Sequence, residues 1–213
     1  MKIQSYVLGV VKTNCYIIKN ELTKEAIVID PADQEQEIER QLEEQELKLV
    51  AILLTHGHFD HIMAASALAN HYDVKVYASE AEKELITDPK LNGSWLIRKN
   101  IALTPNVYLK DNEILNIAGM NIKVIYTPGH TSGGVCYYFT EENALISGDT
   151  LFFESVGRTD MPTGDSRLLL ESIEEKLMTL SDEVKIYPGH GEYTTIGHER
   201  KNNSYLNAES FWD

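Results

Sequence analysis

The segment Thr55-His56-Gly57-His58-Phe59-Asp60-His61 follows directly on an unbroken apolar run, Leu49 to Leu54. Such a run reads as a strand buried on both faces, which requires a sheet covered on each side. The polar segment then lies at the carboxyl end of that strand and opens a helix at Asp60. Of the seven histidines in the chain, three fall inside this short stretch, together with an aspartate. Four ligand-type side chains this close are costly without a cation: protonated imidazoles repel one another, and neutral imidazole is a ready metal ligand. Gly57 is small enough to let His56 and His58 turn toward one point.

Two more histidines stand in matching turns after apolar stretches, Thr127-Pro128-Gly129-His130 and Tyr187-Pro188-Gly189-His190. Ser147-Gly148-Asp149 has the same build. Strand ends on one edge of a sheet can converge on a single site. Five histidines and two aspartates exceed the needs of one tetrahedral ion and suit two. His71 and His198 sit in no such turn and are assigned to structure.

The 213 residues allow one large domain, and no linker, repeat or low-complexity segment divides them, so a single domain over 1–213 is expected. Acidic residues number 33 against 19 basic ones, a formal charge of −14. A chain this acidic is repelled by phosphate backbones, so no nucleic-acid partner is expected. The apolar stretches are too short to cross a bilayer, so no membrane partner is expected either. The amino terminus lacks an apolar stretch of signal length, which points to the cytoplasm. Cys15 and Cys136 are far apart and read as buried, reduced thiols. Oligomeric state is not legible.

Strands are expected at Ile3–Leu8, Asn14–Ile18, Ala26–Asp30, Leu49–Leu54, Val74–Tyr77, Glu113–Ile117, Asn121–Tyr126, Val135–Phe139, Ala144–Ser147 and Val184–Tyr187. Helices are expected from Gln34 to Glu46, capped by Asp33, then over Asp60–His71 and Ser79–Ile86, and from Ser166 along the stripe Leu169, Leu170, Ile173, Leu177 and Leu180. Asp88–Asn106 reads as irregular, and Gly197–Leu206 as helical. Two similar halves of strands followed by helices make an α/β sandwich of two sheets with helices outside.

His56, His58, Asp60, His61, His130, Asp149 and His190, in that order and those turns, resemble the metallo-β-lactamase superfamily. The resemblance implies a four-layer αββα fold. It implies that His56, His58 and His130 hold one divalent metal, that Asp60, His61 and His190 hold a second, and that Asp149 bridges them. Asp60 and Asp149 are thereby the carboxylates assigned to catalysis. The donor set suits zinc, and iron or manganese would also be accepted. Two cations sharing a water lower its pKa toward ~7.

Within the superfamily, Gly157-Arg158-Thr159-Asp160 and His190-Gly191-Glu192-Tyr193-Thr194 are similar to segments of glyoxalase II, the hydroxyacylglutathione hydrolases. This implies a thioesterase acting on a 2-hydroxyacyl (lactoyl) ester of a small thiol, a small-molecule partner. Full-length glyoxalase II carries a C-terminal helical domain that contacts glutathione. Few residues follow His190, so such a domain is not expected here and the thiol stays open. The alternatives are a persulfide dioxygenase with one iron, and a lactonase or carboxylester hydrolase with the same metal pair. Arg158 is placed in the substrate site as a grip for a carboxylate, against a competing ion pair with Asp160. Tyr193 is placed in the pocket wall, against plain packing.

Overall fold

The computed structural model describes residues 1–207; residues 208–213 of the expected domain lie outside the described residues. The first half supplies β1 (Lys2–Leu8), β2 (Thr13–Lys19), β3 (Glu25–Ile29), α1 (Glu35–Glu44), β4 (Lys48–Leu53), α2 (Phe59–Ile62), α3 (Ala65–Tyr72), β5 (Lys75–Ser79), α4 (Lys83–Thr87) and β6 (Val107–Leu109). The second supplies β7 (Ile114–Ile117), β8 (Met120–Tyr126), β9 (Val135–Phe139), β10 (Ala144–Gly148), β11 (Leu151–Phe152), β12 (Ser155–Val156), α5 (Ser166–Ser172), β13 (Lys185–Pro188), β14 (Thr194–Thr195), α6 (Ile196–Asn202) and α7 (Ser204–Asn207). One sheet runs β1-β2-β3-β4-β5-β6 and the other β14-β13-β10-β9-β8-β7, while β11 and β12 form a small hairpin.

Alternation along the strands builds the layers. Tyr16, Ile18, Ile27, Ile29, Ala51 and Leu53 face the second sheet, where Ile122, Val124, Tyr137, Phe139 and Ile146 meet them. Their neighbours Cys15, Ile17, Val28, Ile52 and Leu54 point the other way, onto Ile38 and Leu42 of α1 and Leu68 of α3. On the outer face of the second sheet, Cys136, Leu145 and Ile186 pack under Leu169, Ile173 and Leu177. Both faces of each sheet are therefore covered, which is why the central strands are apolar without a break. The result is the four-layer αββα sandwich expected from the sequence.

Some local expectations give way to specific bonds. Asp33 does not cap α1: the cap is Gln34, in the left-handed region at φ 54° with no side-chain cap bond, and the Asp33 carboxylate accepts from the adjacent Gln34 N–H instead. The helix expected over Asp60–His71 is two helices, because Ala64 N–H donates to the Pro31 carbonyl at 3.0 Å and leaves the helical ladder. The stripe after Ser166 changes character at Ile173–Leu177, a π-helical turn. β6 was not expected; three residues are too few to show alternation.

In the first sheet β4 runs parallel to β3 and β5. In the second, β10 runs parallel to β13 and antiparallel to β9, which is itself antiparallel to β8. The carboxyl ends of β8, β10 and β13 thus share one edge. Bonds between the sheets bring the end of β4 to it. Val135 N–H donates to the Thr55 carbonyl at 2.9 Å, Tyr137 O–H to the Leu54 carbonyl at 2.7 Å and Tyr16 O–H to the Pro188 carbonyl at 2.6 Å.

Candidate metal centre

His56 and His58 lie in the turn after β4, and Asp60 and His61 in α2. His130, Asp149 and His190 follow β8, β10 and β13. Three imidazoles converge first. His130 Nε2 lies 3.2 Å from His56 Nε2 and 2.9 Å from His58 Nδ1. A second group forms beside it: Asp60 Oδ2 is 3.5 Å from His61 Nε2 and 3.3 Å from His190 Nε2. Asp149 stands between the two, with Oδ2 3.5 Å from both His130 Nε2 and His190 Nε2, and Oδ1 3.4 Å from His61 Nε2. The structure therefore brings all seven sequence-predicted ligands together, as two trios with Asp149 between them.

The outer ring nitrogens are held by groups that fix which nitrogen is free. His130 Nδ1–H donates to the Arg158 carbonyl at 2.7 Å. His61 Nδ1–H donates to Asp30 Oδ2 at 2.9 Å. Thr55 O–H donates to Asp30 Oδ2 at 2.6 Å, so its oxygen accepts from His56 Nδ1–H at 3.1 Å. In the neutral rings each arrangement leaves an Nε2 lone pair aimed inward. The lone pairs of His56 and His130 then face one another at 3.2 Å, which is unfavourable unless a cation sits between them. His61 Nε2 and Asp149 Oδ1 are buried without a hydrogen-bond partner. This donor set fits divalent cations.

Electrostatics divide the trios. Burial, then the neighbouring imidazoles, push the His56 pKa well below its usual value. Burial and His130 bring His58 down to about 3. Both imidazoles are neutral at ordinary pH. For His61, burial works downward, but the carboxylates of Asp60, Asp149 and Asp30 outweigh it and raise the ring well above the usual range. Asp149 is buried yet falls to about 2, held ionised by His61 and its neighbours. The carboxylates of Asp60 and Asp149 thus favour positive charge on this side of the centre.

Close packing requires glycine at two points. A Cβ on Gly57 would lie 2.4 Å from Ile86 Cγ1 and 2.7 Å from Leu85 Cδ2. Space under α4, rather than a left-handed backbone, is the reason for that glycine. A Cβ on Gly189 would lie 2.0 Å from Asp149 Oδ1 and 2.8 Å from His61 Cε1.

Three supporting residues were not found from the sequence. Asp30 is fully buried and sits at φ 51°, uncommon for a side-chain-bearing residue. Its carboxylate also accepts from Thr55 N–H at 2.8 Å, so one side chain positions both His56 and His61. Glu82 is fully buried and accepts from Gly57 N–H and Gly133 N–H, each at 2.7 Å, tying the two ligand loops together. Thr13 O–H donates to Asp60 Oδ2 at 2.7 Å. The available signal for Asp30 was its place: an acid at the end of an apolar strand, directly before Pro31, as Thr55-His56 ends the neighbouring run.

The other expectations separate. His71 is exposed on α3, 3.6 Å from Glu39. His198 bonds Glu154 at 2.9 Å and stacks on Phe153. Neither enters the centre. Arg158 lines the metal cavity, but its guanidinium is engaged by both Asp160 oxygens, at 2.6 and 2.7 Å. Tyr193 does not line that cavity: it is exposed, with its ring 5.3 Å from Tyr187, beside a separate shallow pocket. Cys15 and Cys136 are buried free thiols, as expected. No helix among the described residues is long and apolar enough to cross a membrane.

The sequence profile of the Metallo-beta-lactamase superfamily matches residues 8–190. A protein of Haemophilus influenzae named hydroxyacylglutathione hydrolase GloC is 35% identical over 213 residues, covering 99% of this chain and 100% of that one. Among solved structures, that of BLEG-1 B3 metallo-beta-lactamase is similar with a TM-score of 0.93 at 38% identity, covering 97% of this chain and 100% of that one. The structure of TTHA1623 in a di-iron-bound form has a TM-score of 0.86 at 32% identity, over 95% of this chain and 100% of the other.

Proposed function

Because this chain belongs to the metallo-beta-lactamase superfamily and so is a metallo-hydrolase, we propose that it hydrolyses the thioester of a 2-hydroxy acid, such as lactate, with a small thiol. Its cofactor is a pair of divalent cations, zinc by preference. His56, His58 and His130 would hold one and Asp60, His61 and His190 the other, with Asp149 shared. When bound, such a pair supplies an activated water at neutral pH and an electrophile for the substrate carbonyl.

The observation that carries the reading is what the cavity lacks. Besides the ligands, it is lined by Val11, Phe59, Asn92, Leu96, Arg158 and Met161. The Asn92 amide donates to the Ile101 carbonyl at 2.8 Å, and a guanidinium does not give up its proton. Among the described residues, none lining the cavity besides the ligands is therefore placed to protonate a leaving group. A thiolate, whose thiol has a pKa of about 8.5, leaves without that help, whereas an alkoxide or amide nitrogen needs it. In the reaction, the oxygen of water bonds to the carbonyl carbon and the C–S bond breaks with its electron pair going to sulfur. The products are a 2-hydroxy carboxylate, the thiol or thiolate, and the balancing protons. The roles of the chain's own groups are to orient the imidazoles through Asp30, Thr55 and the Arg158 carbonyl, and to border the cavity with the apolar side chains of Phe59, Leu96 and Met161.

The similarity to a protein named hydroxyacylglutathione hydrolase supports the acyl half of this reading. The similarity to a B3 metallo-beta-lactamase makes a β-lactam the competing substrate. A panel decides. Zinc-loaded enzyme should turn over lactoyl thioesters with a kcat/KM at least about a hundredfold above its values for a cephalosporin, a lactone and a simple carboxylester. A preference for the β-lactam or lactone would reverse the assignment. Oxygen uptake with a persulfide, on an iron-loaded chain, would replace it with dioxygenation.

A further inference from the structure

Resting on the thioesterase reading, we infer that the leaving thiol carries an apolar, uncharged body, bound in a groove that continues from the metal cavity across the segment 90–96. The cavity has a volume of about 240 Å³, below the ~300–1,000 Å³ usual for a whole small-molecule site. A lactoyl group with its sulfur has six non-hydrogen atoms, roughly 180 Å³ at the volume of a water molecule each. The acyl half fills this space, and the thiol must leave it.

One outlet is built for that. A groove of about 580 Å³ is lined by Lys90, Leu91, Trp95, Leu96, Met161 and Pro162. Leu96 and Met161 line both spaces, so the two adjoin at these side chains. Trp95 is 55% exposed and Leu96 54% exposed, an unusual cost for large apolar side chains placed side by side unless something covers them. The segment is held in place from below. Asn92 Oδ1 accepts from Ser94 N–H at 2.9 Å, and Ser94 Oγ accepts from Ile101 N–H at 3.1 Å. A peptide thiol bearing two carboxylates, such as glutathione, finds little here: among the described residues Lys90 is the only basic one lining the groove. The chain's charge of −14 disfavours such a ligand further.

Lactoyl thioesters of methanethiol, hexanethiol and glutathione test this on the zinc-loaded enzyme. Five added methylenes, each about half buried, should raise kcat/KM for the hexyl over the methyl thioester by roughly thirtyfold. The glutathione ester should fall below the hexyl ester. Trp95→Ser should shrink the hexyl-to-methyl ratio at least about threefold, with metal content and melting temperature measured as checks on the fold. A ratio near one, a ratio unchanged in Trp95→Ser, or a preference for glutathione would overturn the groove assignment while leaving the thioesterase reading standing. Hydrolysis of none of the three would overturn the reading and the groove with it. Self-association abolished by Trp95→Ser, with the ratio unchanged, would give the groove to a second copy of the chain and also overturn the inference.

Discussion

His58→Ala should lower kcat by at least about three powers of ten while the protein stays folded. Three imidazole nitrogens define the first trio, and His58 Nδ1 is one of them, 2.9 Å from His130 Nε2. Two imidazoles with one shared carboxylate hold a cation weakly, and loss of that cation removes its share in activating water. Three powers of ten correspond to about 4 kcal/mol of barrier, well within what a catalytic metal supplies. Stability should respond little, because the ring carries a buried Nε2 without a partner that the alanine removes. Turnover within about tenfold of the parent, with full metal content, would show that His58 is not a ligand. His71→Ala, on the exposed face of α3, is the control and should leave turnover intact.

Asp30→Ala should produce the second large loss, through both metal affinity and stability. Its carboxylate accepts from Thr55 N–H, Thr55 O–H and His61 Nδ1–H. Removing it leaves buried donors without acceptors, at about 1–3 kcal/mol each, and frees two ligand rings to rotate. Zinc affinity should fall about 10–100-fold, the usual effect of deleting an outer partner of ligating histidines. The melting temperature should fall by roughly 6–12 °C for a loss near 3 kcal/mol in a chain of this size. Asp30→Asn separates the two effects. It keeps an oxygen for Thr55 N–H but cannot offer acceptors to both Thr55 O–H and His61, so affinity should fall while most of the stability returns. Competition with a chelator and a thermal scan measure the two quantities, and a normal affinity in both variants would remove Asp30 from the centre.

These two residues also mark how far the sequence could be read. His58 was legible because ligand-type side chains gathered in one short turn rarely serve packing alone. The strand-end turns of His130, Asp149 and His190 were legible because one build, a glycine turn leading into a ligand-type residue, recurs at three places. The layers were legible because Ile27, Ile29, Ala51 and Leu53 alternate with Val28, Ile52 and Leu54, and both sets are apolar. Asp30 was not legible, since a single acid at a strand end looks like any turn residue, and its partners lie 25 and 31 residues away. Glu82 was hidden in the same way, inside a stretch read as an ordinary charged helix; its partner Gly133 is 51 residues distant. Arg158 and Tyr193 were placed by sequence position alone. Their neighbourhood in sequence was right, but side-chain direction depends on a partner. Asp160, two residues on, takes the Arg158 guanidinium, and Tyr187 takes the Tyr193 ring. Position along a chain predicts where the backbone goes, and competition between partners decides where a long side chain ends.

The proposed thioesterase needs two cations shared through Asp149. Zinc titration of the metal-free chain, read as hydrolysis of a lactoyl thioester, tests it most directly. Activity should rise to its plateau at two equivalents of zinc per chain, since each trio supplies its own ligands and Asp149 lies within 3.5 Å of both. A plateau at one equivalent, or no hydrolysis at any loading, would contradict it.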